Sequence, residues 1–302
     1  YKSIGGGDGM QVQVDTRDNT TVYVGSQFGA YSRLNRNAPF AGRVSVRPQH
    51  ELGDKPLRFN WQSPILLSKH NQDVFYFGSN RFHRSFNKGE NSVNLSGDLT
   101  GGKKEGNVPF GTLVTMSESP LRFGLIYTGS DDGYIHLTKD GGYSWTSIHS
   151  KLPKQVQGLY VSRVIASKYK ESRVYVTLNG YRNDHFAAWV FVSEDYGTTW
   201  KQIFTDLPAE PVNVLREDPK SENLLYVGTD HGLYVSADAG ASSMAWMSGL
   251  PRVAIHDIAI QERENEIVLG THGRSLYIGS LTEVQKLAAD KAYYEKKKAE
   301  LK

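Results

Sequence analysis

Apolar and polar residues alternate in short runs along most of this chain, and the runs end at Gly, Asp, Asn or Pro. β-Branched and aromatic residues fill the apolar positions. A period of two with this punctuation predicts strands. Helical periodicity is absent until the last stretch. One strand type recurs: Tyr23-Val24-Gly25-Ser26, Tyr76-Phe77-Gly78-Ser79, Tyr127-Thr128-Gly129-Ser130, Tyr175-Val176-Thr177, Tyr226-Val227-Gly228-Thr229 and Val268-Leu269-Gly270-Thr271. From Gly25 through Gly78, Gly129, Thr177 and Gly228 to Gly270 the spacings are 53, 51, 48, 51 and 42. The chain is therefore read as six copies of one unit.

Each copy predicts four strands. A short apolar strand comes first, as in Leu113-Val114-Thr115-Met116, Val164-Ile165-Ala166 or Ile258-Ala259-Ile260. The Tyr-Val-Gly strand follows, then a third such as Gly232-Leu233-Tyr234-Val235-Ser236, then a fourth such as Trp145-Thr146-Ser147-Ile148. Four short antiparallel strands cannot bury both faces alone, whereas sheets stacked around an axis can. The expected fold is all-β: a β-propeller of four-stranded antiparallel blades, six visible and open to being part of a larger ring, over residues 1–281.

A box joins the third and fourth strands. It reads Thr138-Lys139-Asp140-Gly141-Gly142-Tyr143-Ser144-Trp145, then Ser193-Glu194-Asp195-Tyr196-Gly197-Thr198-Thr199-Trp200, then a worn copy from Ser236 through Asp238 and Gly240 to Trp246. Glycine permits positive φ in the turn. The hydroxyl and carboxylate accept turn N–H groups. Thr138, Asp140, Gly142, Trp145, Ser193, Asp195, Gly197, Trp200, Asp238 and Trp246 are thus assigned to structure, with Trp145 and Trp200 packing between blades. The copy at Ser85-Phe86-Asn87-Lys88-Gly89 has Asn for Asp and no Trp, which predicts a weaker turn.

Composition narrows the function classes. The net charge of +3 makes no electrostatic case for nucleic acid, and six Lys against four acids in 282–302 leave about +1 for the rest. Zero cysteines exclude disulfides and cysteine-rich zinc sites. No run is long and apolar enough to span a bilayer as a helix. Neither a metal nor a cofactor is expected. The chain opens at Tyr1 without Met, and is read as a fragment or processed product. Tyr1–Ile4 has the shape of a fourth strand, so the two ends are expected to complete one blade; the rival is that further blades precede Tyr1. Thr282-Glu283-Val284-Gln285 has a capping-box pattern opening a helix over 282–302. That helix is either a linker or a surface docking on a partner.

The boxes resemble the Asp-box, or bacterial neuraminidase repeat, of sialidases, sortilin-type propellers and two-propeller xyloglucanases. The run Gly124-Leu125-Ile126-Tyr127-Thr128-Gly129-Ser130-Asp131-Asp132-Gly133, with Arg216-Glu217-Asp218-Pro219 and Gly270-Thr271-His272-Gly273-Arg274-Ser275-Leu276, looks like the C-terminal propeller of large bacterial secreted proteins labelled sortilin-like or "glycosyl hydrolase, BNR repeat". The resemblance covers roughly residues 1–281. It implies an extracytoplasmic setting: periplasm, cell surface or medium. The family label follows the repeat and is a weak guide to activity.

Propellers place their sites at the channel mouth. Here the loops carry Asp131, Asp132, Arg163, Arg182, Asp184, Asp230, His231, His256, His272 and Arg274, with Thr112, Ser162, Asn179, His185, Asn213 and Asp257 beside them. Each has a plain alternative. Asp131-Asp132-Gly133 and Asp230-His231-Gly232 suit hairpin turns. Gly273 suits a tight turn in which His272 and Arg274 tie blades together. Arg182 and Asp184 lie in what reads as the longest inserted loop, Asn179–Ala188. His256 and Asp257 resemble a base with its carboxylate, but adjacent strand residues face opposite ways.

The expected function is a non-catalytic binding or assembly module of a secreted or envelope-associated bacterial protein, recognising a peptide segment or a glycan at the mouth. A subunit or fragment of a larger assembly fits the same pattern. The alternative is a glycoside hydrolase, xyloglucanase-like or sialidase-like. Sialidase chemistry has arginines to draw on in Arg163, Arg182, Arg216 and Arg274, but no motif places a Tyr–Glu pair among them. Hydrolysis of other glycans needs two carboxyls across a cleft, for which Asp131 or Asp132 with Asp184 are the candidates. An enzyme should show such a pair in an open cleft with perturbed pKa; a binding module should show an exposed apolar and Tyr patch or a plugged channel.

Overall fold

The structure, a computed structural model, describes residues 3–103, 105 and 110–300. Six antiparallel sheets make a β-propeller; five have four strands and the last has three. The chain divides into two compact units, Tyr1–Ala166 and Ser167–Lys302.

In the first unit, sheet 1 holds β1 (Gln13–Val14), β2 (Thr21–Ser26), β3 (Ala30–Asn35) and β4 (Val44–Ser45). Sheet 2 holds β5 (Ile65–Leu67), β6 (Phe75–Gly78), β7 (Phe82–Ser85) and β8 (Val93–Asn94). Sheet 3 holds β9 (Leu113–Glu118), β10 (Ile126–Ser130), β11 (Ile135–Thr138) and β12 (Thr146–Ser147). The unit ends in β13 (Tyr160–Ala166), the first strand of sheet 4. In the second unit, sheet 4 continues with β14 (Val174–Gly180), β15 (His185–Ser193) and β16 (Lys201–Ile203). Sheet 5 holds β17 (Val212–Glu217), β18 (Leu225–Thr229), β19 (Gly232–Ser236) and β20 (Met244–Ala245). Sheet 6 holds β21 (Ile255–Gln261), β22 (Glu266–Thr271) and β23 (Leu276–Ser280).

The repeated glycine of the second strand has a steric cause. A Cβ on Gly78 would lie 3.1 Å from the Cβ of Leu113, one on Gly129 2.5 Å from Val161, and one on Gly228 2.8 Å from Ile255. In each case the neighbour is on the next sheet's first strand. Glycine there lets successive inner strands close up. Between them lie the cores: Tyr23, Tyr31, Ile65, Phe75 and Phe77 join sheets 1 and 2, and Tyr76, Phe82, Leu113 and Ile126 join sheets 2 and 3. Tyr226, Leu233, Ile255, Ile258, Ile267 and Leu281 form the core of the second unit.

The boxes form one turn four times. The Ser or Thr hydroxyl accepts the glycine N–H of Gly89, Gly142, Gly197 and Gly240 at 2.7–3.0 Å. It donates to Oδ1 of Asn87, Asp140, Asp195 and Asp238 at 2.7–2.8 Å. That Oδ1 also accepts the N–H four residues on, from Asn91, Ser144, Thr199 and Ser242. The residue before the glycine is left-handed in every copy, at φ 60 for Lys88, 76 for Gly141, 60 for Tyr196 and 59 for Ala239. In the three Asp copies a second oxygen takes a hydroxyl proton from Ser144, Thr199 or Ser242. Asn87 has no second carboxylate oxygen, and its copy lacks that bond. Trp145 packs on Phe82 at 5.2 Å and donates its indole N–H to Leu95 O, which ties sheet 3 to sheet 2.

Four local expectations change. The 179–188 segment is a paired hairpin extension rather than a loop: Gly180 sits opposite His185, and Asp184 turns the chain at φ 53. The C-terminal segment is two helices, α1 (Thr282–Ala289) and α2 (Lys291–Glu300), broken at Asp290, whose φ −118 and ψ 95 are extended. Thr282 is already inside α1, and its N–H is held by the Ser280 hydroxyl, so the capping box does not form. Finally, Ser3 and Ile4 are in no strand, and Ile4 packs on Val22, Val24 and Leu34; Tyr1 and Lys2 lie outside the described residues. Val284 is buried in the core of the second unit, Gln285 donates to Asp218, and Tyr294 is buried with its hydroxyl 3.2 Å from that of Ser242.

Candidate functional site

The turns after the second strands carry most of the predicted site residues, and they split into two kinds. In the first unit, Asp131 is only 3% exposed. Its Oδ1 accepts the Thr112 N–H at 2.9 Å, and its Oδ2 accepts the Phe110 N–H, the Thr112 hydroxyl and the Asn60 amide. Asp132 accepts the Ser130 hydroxyl and the Gly101 N–H. Both carboxylates staple the loops around their own hairpin. Arg163 is half-buried on β13.

In the second unit the corresponding turns are more open. Asn179, at the end of β14, donates to Asn213 Oδ1 at 2.9 Å, and Asn213 donates to Asp230 Oδ1 at 2.9 Å. The chain of amides thus crosses from sheet 4 to sheet 5. His256 and His272, both exposed, stack with ring centroids 5.1 Å apart. Burial, then the neighbouring His272, lower the His256 pKa, while Asp230 pulls it the other way. His231 lies 3.7 Å from Glu210, which also accepts the Thr229 hydroxyl. Arg274 is exposed beyond Gly273, which turns at φ 73. The His272 N–H donates to Ala254 O, a backbone contact within sheet 6. Arg182 and Asp184 are exposed at the hairpin tip beside Tyr181 and Phe186, which meet edge-on at 6.0 Å.

Backbone bulges explain why Asn213 and His256 face this rim. Pairing slips between Val212 and Val214, and again between Ile255 and Asp257. A bulge adds one unpaired residue and re-aims its side chain. Simple alternation therefore fails at His256. Asp257 is no orienting carboxylate for it on this geometry: it pairs with Arg216 at 3.1 Å and accepts the Ile258 N–H.

The box aspartates are held ionised and carry no proton to donate near neutral pH. The Ser144 hydroxyl and N–H hold Asp140 well below the usual carboxylate range, and the Thr199 N–H and hydroxyl lower Asp195. Burial pushes the Glu217 pKa up. Glu217 accepts the Ser167 hydroxyl and the Lys168 N–H, inside the packing of sheets 4 and 5. No group of three or more His, Asp or Glu among the described residues is arranged to hold a metal ion. No helix of the described residues is long and apolar enough to cross a membrane.

Sequence reasoning overlooked an exposed aromatic pair in the first unit. Phe28 and Trp61 meet edge-on at 5.2 Å, 43% and 48% exposed. Phe28 holds φ 55, uncommon for a bulky residue, with its N–H on Trp61 O. The available signal was an aromatic residue in a turn position that is otherwise polar.

No protein-family model matches the chain, and no curated protein matches it. Solved structures do. The GH74 xyloglucanase from Xanthomonas campestris aligns at TM-score 0.66 and 17% identity, over 88% of this chain and 44% of that one. The extracellular domain of the putative one component system BT4673 from B. thetaiotaomicron aligns at 0.62 and 16%, over 90% and 32%. YCF48 bound to D1 peptide aligns at 0.59 and 14%, over 90% and 77%. This chain thus spans less than half of the xyloglucanase. At such identities the likeness is one of fold, and the fold it establishes is the β-propeller.

Proposed function

We propose that this chain is a non-catalytic binding or assembly module, of the Asp-box type, working outside the cytoplasm and recognising a peptide segment at the rim of sheets 4–6. One observation carries the reading: the Asn179–Asn213–Asp230 hydrogen-bond chain lies on the same rim as the stacked His256–His272 pair. Amides and imidazoles offer donors and acceptors of the kind an extended backbone needs. Most of the carboxylates considered for hydrolysis are engaged in structure. Asp131 and Asp132 hold loops, the box aspartates hold turns, and Glu217 is buried. YCF48, a propeller of the same fold, is seen with a bound peptide, so a peptide ligand is compatible with this fold.

The test is a peptide array and a glycan array read in parallel with the wild-type chain and a His256→Ala/His272→Ala variant. The proposal expects peptide binding that the double variant loses. Release of reducing sugar from xyloglucan, or peptide binding indifferent to both histidines, would overturn it.

A further inference from the structure

A cavity of about 300 Å³ lies in the second unit, lined by Arg173, Tyr175, Val192, Glu194, Trp200 and Ala239, among others. That is the lower end of volumes that hold ligands. Its position has internal counterparts. On sheet 1, Arg33 stands opposite Val44 and donates to Lys88 O at 3.0 Å. On sheet 2, Arg84 stands opposite Val93 and donates to Gly141 O at 2.8 Å. Lys88 and Gly141 are the left-handed residues of the next sheet's box. In both places a guanidinium fills the groove between one sheet and the following box turn.

Sheet 4 has Val192 at this position, opposite Lys201, and the following box turn presents Ala239. Valine is too short to cross, and alanine adds little volume. The groove that arginine fills twice in the first unit is left as a cavity. Its wall also carries a carboxylate: Glu194 stands where Phe86 stands beside Arg84. Glu194 is already bonded to Arg173 at 2.7 Å and to Lys170 at 2.9 Å, so it is shared between cations, and about half of its side chain is exposed to solvent.

From these internal templates we infer that the cavity is a binding site for an arginine side chain of a partner peptide. The guanidinium donates to the box-turn carbonyl of Ala239 and to Glu194, with its stem against Tyr175 and Trp200. Arg173 and Lys201 are the wall charges that oppose it, and Arg173 is itself paired with Glu194 and Glu222. This site is separate from the rim proposed above, and either can fail without the other.

N-Acetyl-arginine amide titrated against the intact chain, read by tryptophan fluorescence and by calorimetry, tests the site. Saturable binding is expected, with norleucine amide at least about tenfold weaker, the worth of one charge-assisted hydrogen bond. Val192→Arg supplies the missing side chain in cis and abolishes binding. Glu194→Gln, a partly exposed change that spares folding, weakens it, and Lys201→Gln strengthens it. Equal response to norleucine amide, no saturable response, or binding unchanged in natively folded Val192→Arg or Glu194→Gln, would overturn the assignment.

Discussion

The turn after the second strand is Asp131-Asp132-Gly133 in sheet 3 and Asp230-His231-Gly232 in sheet 5, nearly the same three residues in the same place. Their surroundings differ. Asp131 is enclosed by three N–H or amide donors and one hydroxyl. Asp230 is half-buried, takes an amide proton from Asn213, and acts electrostatically on His256. A repeated residue type thus says which turn forms. The partners supplied by neighbouring, non-repeating segments decide whether its carboxylate staples or binds.

The largest effect expected from this contrast is on stability. Asp131→Ala leaves the Thr112 and Phe110 N–H groups and the Thr112 hydroxyl without their acceptor, and should cost about 4 kcal/mol at roughly 1–2 per orphaned donor. Asp230→Ala, with water at hand, should cost less than about 1 kcal/mol. Urea unfolding of both variants measures the difference. Equal losses would erase the distinction between the two turns.

The same contrast holds for imidazoles. His83 on β7 is buried and bonded to the Ser79 hydroxyl, whereas His256 is exposed at the rim. Burial lowers the His83 pKa from 6.5 to about 4. Above 6.5 the ring is neutral folded and unfolded, and stability does not depend on this group. Below 6.5 the unfolded chain binds a proton that the fold refuses, so stability falls until about pH 4. His136 is lowered to about 4 by burial as well and adds to the slope. Thermal midpoints across this range should drop less steeply in His83→Gln than in the wild type, with a smaller relief in His256→Gln, whose pKa is lowered by less. A wild-type slope kept intact in His83→Gln would show that the buried ring is not the proton-linked group.

The propeller was legible because its determinants are local and repeated. A box needs a hydroxyl, a carboxylate and a glycine at fixed offsets, and the landmark glycine needs only a close neighbour. The site was legible in membership more than in arrangement. Asp131, Asp132, Asp230, His256 and His272 sit in the turns and strand starts where the sequence places them. Burial of the first two depends on Asn60 and Phe110, which no motif marks. The bulges at Asn213 and His256 overturn the alternation argument because one inserted residue shifts register without changing composition. The cavity beside Val192 was invisible for a related reason: it is made by two small residues, one on each of two sheets, and neither is unusual alone.

The smallest effect concerns the box that departs from the others. Asn87 reproduces every bond that needs one acceptor oxygen and lacks the one that needs two. Asn87→Asp restores a second oxygen, but position 91 carries Asn where the other copies have Ser144, Thr199 and Ser242. If partners decide the outcome, the single change should gain only a few tenths of a kcal/mol. Asn87→Asp with Asn91→Ser should gain about 1 kcal/mol, because the hydroxyl then meets the new oxygen as it does at Asp140. Unfolding midpoints of the two variants decide it: a full gain from Asn87→Asp alone would mean that the carboxylate, and not the pair, sets the strength of the turn.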